Sequence, residues 1–254
     1  CIFTYQTLDN IDGKQARRTG TSTPLGMLFD HGCDSMSCFL LSVTLTRLFM
    51  ITDEKLCLYG IFLGVQLIFY MSVWAQYHSK GIMHLGTEFN YLGKVNAVDD
   101  GIPFIWILAI FTGIVGCSWW KEQIFGIDRG IIFFYFIFLS AFRTHFNKLS
   151  SNTIARIQTG KDFTKDVRGA MKHFLHILCL TCSLSMIVVL TDWWKVDRYY
   201  HQIMFSLGIM YVRNTTYMQL CVTTNQPYNQ FTTANFVFSV GYPAYILSHI
   251  ILGK

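Results

Sequence analysis

Four carboxylates, Asp9, Asp12, Asp30 and Asp34, fall within 26 residues of one another, in or beside segments that are otherwise apolar. A carboxylate at bilayer depth is costly and persists only when it is paired or metal-bound, so each of the four is a functional candidate. Asp9 and Asp12 are three apart and Asp30 and Asp34 four apart, so each pair shares one helix face. Between the pairs lies the polar stretch Arg18-Thr-Gly-Thr-Ser-Thr-Pro24. Gly20 suits a chain reversal, Thr23 a helix N-cap and Pro24 the first helical turn that follows. The spacing predicts a helical hairpin whose two carboxylate pairs face each other. Four facing carboxylates repel unless cations lie between them, and hard oxygen donors suit Mg²⁺, Mn²⁺ or Ca²⁺. Two such ions about 3.5–4 Å apart would clamp a pyrophosphate and stabilise both the attacking and the leaving oxygen. Gly13, Ala16 and Gly26 are small enough to let a bulky ligand approach the backbone, and Arg17 offers a planar donor for phosphate. Salt bridges to Lys14, Arg17 and Arg18 would account for two of the carboxylates, not readily for four.

The elements that must hold these residues are helices of a membrane protein. Of 254 residues, 52% are hydrophobic and only 14% charged, with a mean hydropathy of +0.36. A soluble domain carries about 25% charged residues. The 16% aromatic content fits rings placed at bilayer interfaces. The net charge of +5 is spread over several loops, which excludes a nucleic-acid binder. The eight cysteines are scattered, and Cys179 and Cys182 form a C-x-x-C inside an apolar run, where small membrane residues are the expectation rather than a metal or redox pair. Apolar runs near 24–50, 56–77, 101–118, 130–148, 173–191, 200–220 and 232–252 are candidate spans, and 1–17 reads as the end of an eighth helix. Such lengths fit helices rather than barrel strands. The expectation is an all-α polytopic fold forming a single domain over 1–254, with the catalytic hairpin at 1–50. The chain opens on Cys1 with no signal peptide, and is read as a fragment lacking its N-terminus and part of the substrate site.

Loop charge sets the orientation. Residues 143–172 hold Arg143, Lys148, Arg156, Lys161, Lys165, Arg168 and Lys172 against Asp162 and Asp166. The turns on the other side hold fewer cations, so Lys14, Arg17 and Arg18 are expected on the cytosolic side. Gly60 and Gly64 form a G-x-x-x-G pair suited to close helix packing. Asn214-Thr215-Thr216 matches a glycosylation sequon, but lies at a helix end on the expected cytosolic side.

The run Asp9-Asn-Ile-Asp12-Gly13-Lys-Gln-Ala16-Arg17, eight residues, then Gly26-Met-Leu-Phe-Asp30-His-Gly-Cys-Asp34 matches the CDP-alcohol phosphotransferase signature D-x2-D-G-x2-A-R-x8-G-x3-D-x3-D at every fixed position. With eight fixed positions at about one in twenty each, a chance match is on the order of 10⁻¹⁰ per start point. Leu8 to Arg18, with Phe29 to Ser35, resembles the eukaryotic choline and ethanolamine phosphotransferases in particular. The close resemblance covers about the first 35 residues. It implies ten spanning helices in a full chain, of which about eight would lie here, and two Mg²⁺ or Mn²⁺ ions per site. Asp9, Asp12 and Asp30 would hold one ion, and Asp9, Asp30 and Asp34 would share the other. Asp9, Gly13, Ala16, Arg17 and Gly26 would line the CDP donor site. The resemblance implies that a diacylglycerol hydroxyl attacks the β-phosphorus of CDP-choline or CDP-ethanolamine and CMP leaves. It further implies a homodimer in the endoplasmic reticulum or Golgi membrane, with the active site open to the cytosol. Asp34 and His31 are both candidate bases. A metal-bound carboxylate is a poor base and an imidazole titrates near neutrality, which favours His31; an orienting role for His31 stays open. Relatives of this branch often carry Glu where Met27 stands, and Glu88 could substitute for it or be a loop surface charge. Inositol or glycerol phosphate acceptors would need a basic pocket, for which no cation is evident near Asp30 or Asp34. A silent nucleotide-binding relative would have no reason to keep four buried aspartates.

Overall fold

The computed structural model describes residues 2–53, 56–57, 60, 65–79, 86–89, 93–96, 102–139, 143, 168–169, 171–174, 177, 196–229, 232–241, 244–245 and 248. The expected hairpin is its first feature. Helix α1 (Ile2–Thr19) carries Arg17 and Arg18 in its last turn, where cations complement the helix dipole. It ends in a Schellman pair: the Gly20 N–H donates to the Arg17 carbonyl (3.4 Å) and the Thr21 N–H to the Ala16 carbonyl (3.0 Å). Gly20 makes this possible by taking φ +69°. Helix α2 (Pro24–Leu48) starts as the sequence predicts, with Pro24 in the first turn and Thr23 Oγ1 accepting the Gly26 N–H at 3.0 Å.

The remaining described elements are mostly helical. They are α3 (Leu67–Ser79), α4 (Ile102–Val115), a 3₁₀ turn (Cys117–Lys121), α5 (129–139), α6 (Val196–Thr224) and the short α7 (Thr233–Phe236), which widens into a π turn at Val237–Gly241. Two antiparallel hairpins interrupt them: β1 (Gly86–Phe89) with β2 (Gly93–Asn96), and β3 (Gln123–Ile124) with β4 (Ile127–Asp128). The all-helical expectation missed both, because strands of four and two residues leave no periodicity to read. The turn of the second is Phe125-Gly126, both at positive φ (53° and 79°), as tight hairpin turns require.

Three packing sites position the hairpin. Along α2 and α6, Phe39 packs edge-on against Phe205 at 5.8 Å, and Gly208 lies so close to the Phe39 ring that a Cβ there would overlap it. Ser35 and Thr215 join hydroxyls across the same interface, and Gly32 faces Thr216. At the C-terminal end of α2, Phe49 stacks edge-on against Trp120 at 4.7 Å, and Gly130 admits the Phe49 carbonyl against its backbone. Helix α1 rests on α4 through Phe3 and Trp106, and Trp106 Nε1 donates to Gln6 Oε1 at 3.3 Å. Gly60 abuts the Phe134 ring, so at least the first glycine of the G-x-x-x-G pair serves packing; Gly64 lies outside the described residues.

Among the described residues, no helix is both long and apolar enough to cross a membrane. Helices α2 and α6, 25 and 29 residues long, have the reach but carry Asp30, Asp34 and Arg47, and Asp197, Arg198 and Arg213. Helix α4 has no charged residue but is 14 residues long, about 21 Å against a hydrocarbon core of about 30 Å. The run expected as one span over 101–118 therefore stops at Val115, because Gly116 (φ 86°) turns the chain into the 3₁₀ segment. The 173–191 run lies almost wholly outside the described residues, and the runs at 56–77, 130–148 and 232–252 are described only in part. A predominantly helical fold stands.

Substituting Gly208→Ala should drive a methyl into the Phe39 ring and lower stability by about 1–3 kcal/mol. Thermal unfolding in detergent would register the loss, and Phe39→Leu in the same chain should restore part of it.

Candidate active site

The hairpin brings the carboxylates together in antiparallel register. The Asp34 carboxyl reaches that of Asp9, and the Asp30 carboxyl reaches that of Asp12. Asp34 Oδ1 also accepts a 2.7 Å hydrogen bond from the Tyr5 hydroxyl, and Asp12 accepts the N–H of Gly13. One ligand atom from each of Asp30, His31 and Asp34 lies within 4.8 Å of the others. These three side chains are half-buried, and Asp12 is exposed. The ion pairs Lys121–Asp128 and Arg129–Glu122 lie around the β3–β4 hairpin, away from the carboxylates. Neither joins Asp12, Asp30 or Asp34 to a cation.

Carboxyl groups this close cannot all be ionised without a cation or shared protons between them. The donor set is oxygen-rich with one imidazole, free of thiolate, and fits Mg²⁺ or Mn²⁺. Asp30 and Asp34 could hold one ion, with Asp9 and Asp12 across the hairpin as further oxygen donors and His31 beside them.

The residues expected to meet the donor sit at the loop end of the hairpin. The Arg17 guanidinium folds over Gly13, where a Cβ would lie 3.4 Å from it. A Cβ on Gly26 would come within 3.3 Å of Thr23 Oγ1 and crowd the cap. The Ala16 carbonyl serves the turn at Thr21. Met27 is exposed on the first turn of α2. The side chain of Glu88 lies outside the described residues.

Two neighbours were not foreseen from the sequence. Tyr5 is one turn before Asp9, so its i, i+4 spacing could have flagged it. His31 faces Gln219 of α6, and His31 Nδ1 and both amide atoms of Gln219 are buried without a hydrogen-bond partner at good geometry. A buried amide in an apolar helix is the only signal the sequence held for it.

Residues 1–120 match the family model described as CDP-alcohol phosphatidyltransferase. The chain is 43% identical over 124 residues to the Dictyostelium discoideum protein named "uncharacterized CDP-alcohol phosphatidyltransferase class-I family protein 3", covering 49% of this chain and 29% of that one. It is 35% identical over 123 residues to choline/ethanolaminephosphotransferase 1 of Arabidopsis thaliana (48% and 29%). It is 37% identical over 123 residues to ethanolaminephosphotransferase 1 of Homo sapiens (47% and 28%). The chain thus aligns with less than a third of the length of these relatives.

Tyr5→Phe removes the hydroxyl that fixes one oxygen of Asp34. Loss of such a supporting hydrogen bond should weaken Mn²⁺ binding about 10-fold or more, measurable by electron paramagnetic resonance titration. Asp30→Asn should abolish it.

Proposed function

With residues 1–120 belonging to the CDP-alcohol phosphatidyltransferase family, we propose that the protein transfers phosphocholine or phosphoethanolamine from its CDP ester to diacylglycerol, releasing CMP and forming phosphatidylcholine or phosphatidylethanolamine. The observation that carries this reading is the meeting of Asp9 with Asp34 and of Asp12 with Asp30 across one capped hairpin. Relatives named for choline and ethanolamine phosphotransfer support the donor class.

Asp9, Asp12 and Asp30 would hold one divalent ion and Asp9, Asp30 and Asp34 the second. Ions so held supply charge neutralisation to the pyrophosphate of the donor. Gly13 and Gly26 put no side chain of their own at the hairpin mouth, where the nucleotide would lie, and the Arg17 guanidinium, which lies beside Gly13, would donate to phosphate oxygen. His31 accepts the proton of the attacking hydroxyl as the new P–O bond forms and the bond to CMP breaks; the proton then passes to solvent. Asp34 is the weaker candidate for base, because Oδ1 is already engaged by Tyr5 and its carboxyl meets Asp9. The whole chain acts as one integral-membrane domain and pairs as a homodimer in the endoplasmic reticulum or Golgi membrane. A lipid surround is supported by Phe104, Ile107, Ile110 and Ile114, which line an exposed stripe of α4.

The direct assay offers labelled CDP-choline and CDP-ethanolamine separately to the full-length protein in lipid, with diacylglycerol and Mn²⁺ or Mg²⁺. Phospholipid and CMP should form from at least one donor. EDTA should abolish both, and Asp30→Ala should lower the rate by about 100-fold or more. Absence of product from either donor, in protein that still binds CDP, would sink the diacylglycerol reading. Orientation has its own test, in sealed cytosolic-side-out vesicles and a cysteine-free background. An impermeant maleimide should label Thr21→Cys and spare Phe125→Cys.

A further inference from the structure

Helix α6 lies beyond the family match, yet it closes the site. Its register against α2 is antiparallel and set by three contacts: Phe39 on Gly208, Ser35 on Thr215 and Gly32 on Thr216. One turn past Thr215, this register brings Gln219 opposite His31. Gln219 is 1% exposed, and neither amide atom nor His31 Nδ1 has another partner among the described residues. Leaving buried polar atoms unpaired is costly, so two such groups that face each other are each other's natural partner. Gln66 and Gln76 are also buried with unpaired amide atoms, but Gln219 is the one that faces a residue of the carboxylate site.

We propose that Gln219 is the positioning residue of His31, its amide oxygen accepting a hydrogen bond from Nδ1–H. A neutral imidazole has one N–H and one lone pair. Committing the hydrogen to Nδ1 leaves the lone pair on Nε2, the form a general base needs. An amide sets this tautomer without adding another negative charge beside four carboxylates. The inference rests on the reading of His31 as base, and it assigns to the second half of the chain a part in the chemistry of the first.

Gln219→Leu keeps the side-chain volume and removes both polar atoms. It should lower kcat about 10-fold or more, with KM for the CDP donor unchanged. The melting temperature should fall by a few degrees at most, the cost of one buried hydrogen bond and an unpaired His31 Nδ1. Placed on His31→Ala, Gln219→Leu should cost nothing further, because a residue acting through His31 has no effect once His31 is gone. A loss of the same size in both backgrounds, or an unchanged kcat, would each overturn the proposal. Carbethoxylation of His31, followed by peptide mass spectrometry, needs no turnover. Its rate should fall severalfold in Gln219→Leu, and an unchanged rate would overturn the pairing. Absence of transfer by the unmodified protein, with that rate difference present, would sink the reaction and leave the pairing standing.

Discussion

The repulsion among Asp9, Asp12, Asp30 and Asp34 is the constraint around which the rest of the structure is arranged. Like charges at this spacing push the two helices of the hairpin apart. What opposes the push is packing elsewhere: Phe3 against Trp106 on the side of α1, and Phe39, Ser35 and Phe49 against α6 and the Trp120 region on the side of α2. The caps at Gly20 and Thr23 hold the ends of both helices in place at the loop. An apolar scaffold of this kind keeps the carboxyls converged before any cation arrives, so binding energy is not spent on assembling the site.

The hairpin was legible in the sequence because each of its signals is local. Caps, a turn glycine and i, i+3 or i, i+4 carboxylates all act within a few residues, and each appears where the spacing put it. The β1–β2 and β3–β4 hairpins were not legible, since a two-residue strand carries no pattern and Phe125 is a poor advertisement for a turn at positive φ. The span at 101–118 was read too generously. Hydropathy averages over a window and does not feel a single Gly116 that redirects the chain.

Gln219 illustrates a different limit. Nothing near it in sequence marks it as part of a site; only the α2–α6 register does, and register is a property of the packed fold. Tyr5 stands between the two cases, on the same helical face as Asp9 but identified by its contact with Asp34. Motif residues supply the charges, and the residues that aim them come from wherever the fold brings a side chain to the right height.

The turn between Gly20 and Thr23 has a further meaning. Its Schellman pair fixes where α1 stops and its threonine cap fixes where α2 starts, leaving Thr21 and Ser22 between the two capping residues. The loop therefore works as a ruler of set length between two rotating shafts. Each residue added inside either helix would swing the carboxylates beyond it by about 100°, carrying them off the shared face. The eight-residue gap between Arg17 and Gly26 is, on this view, a mechanical tolerance of the hairpin, set by the phase of its helices as much as by contact with any substrate.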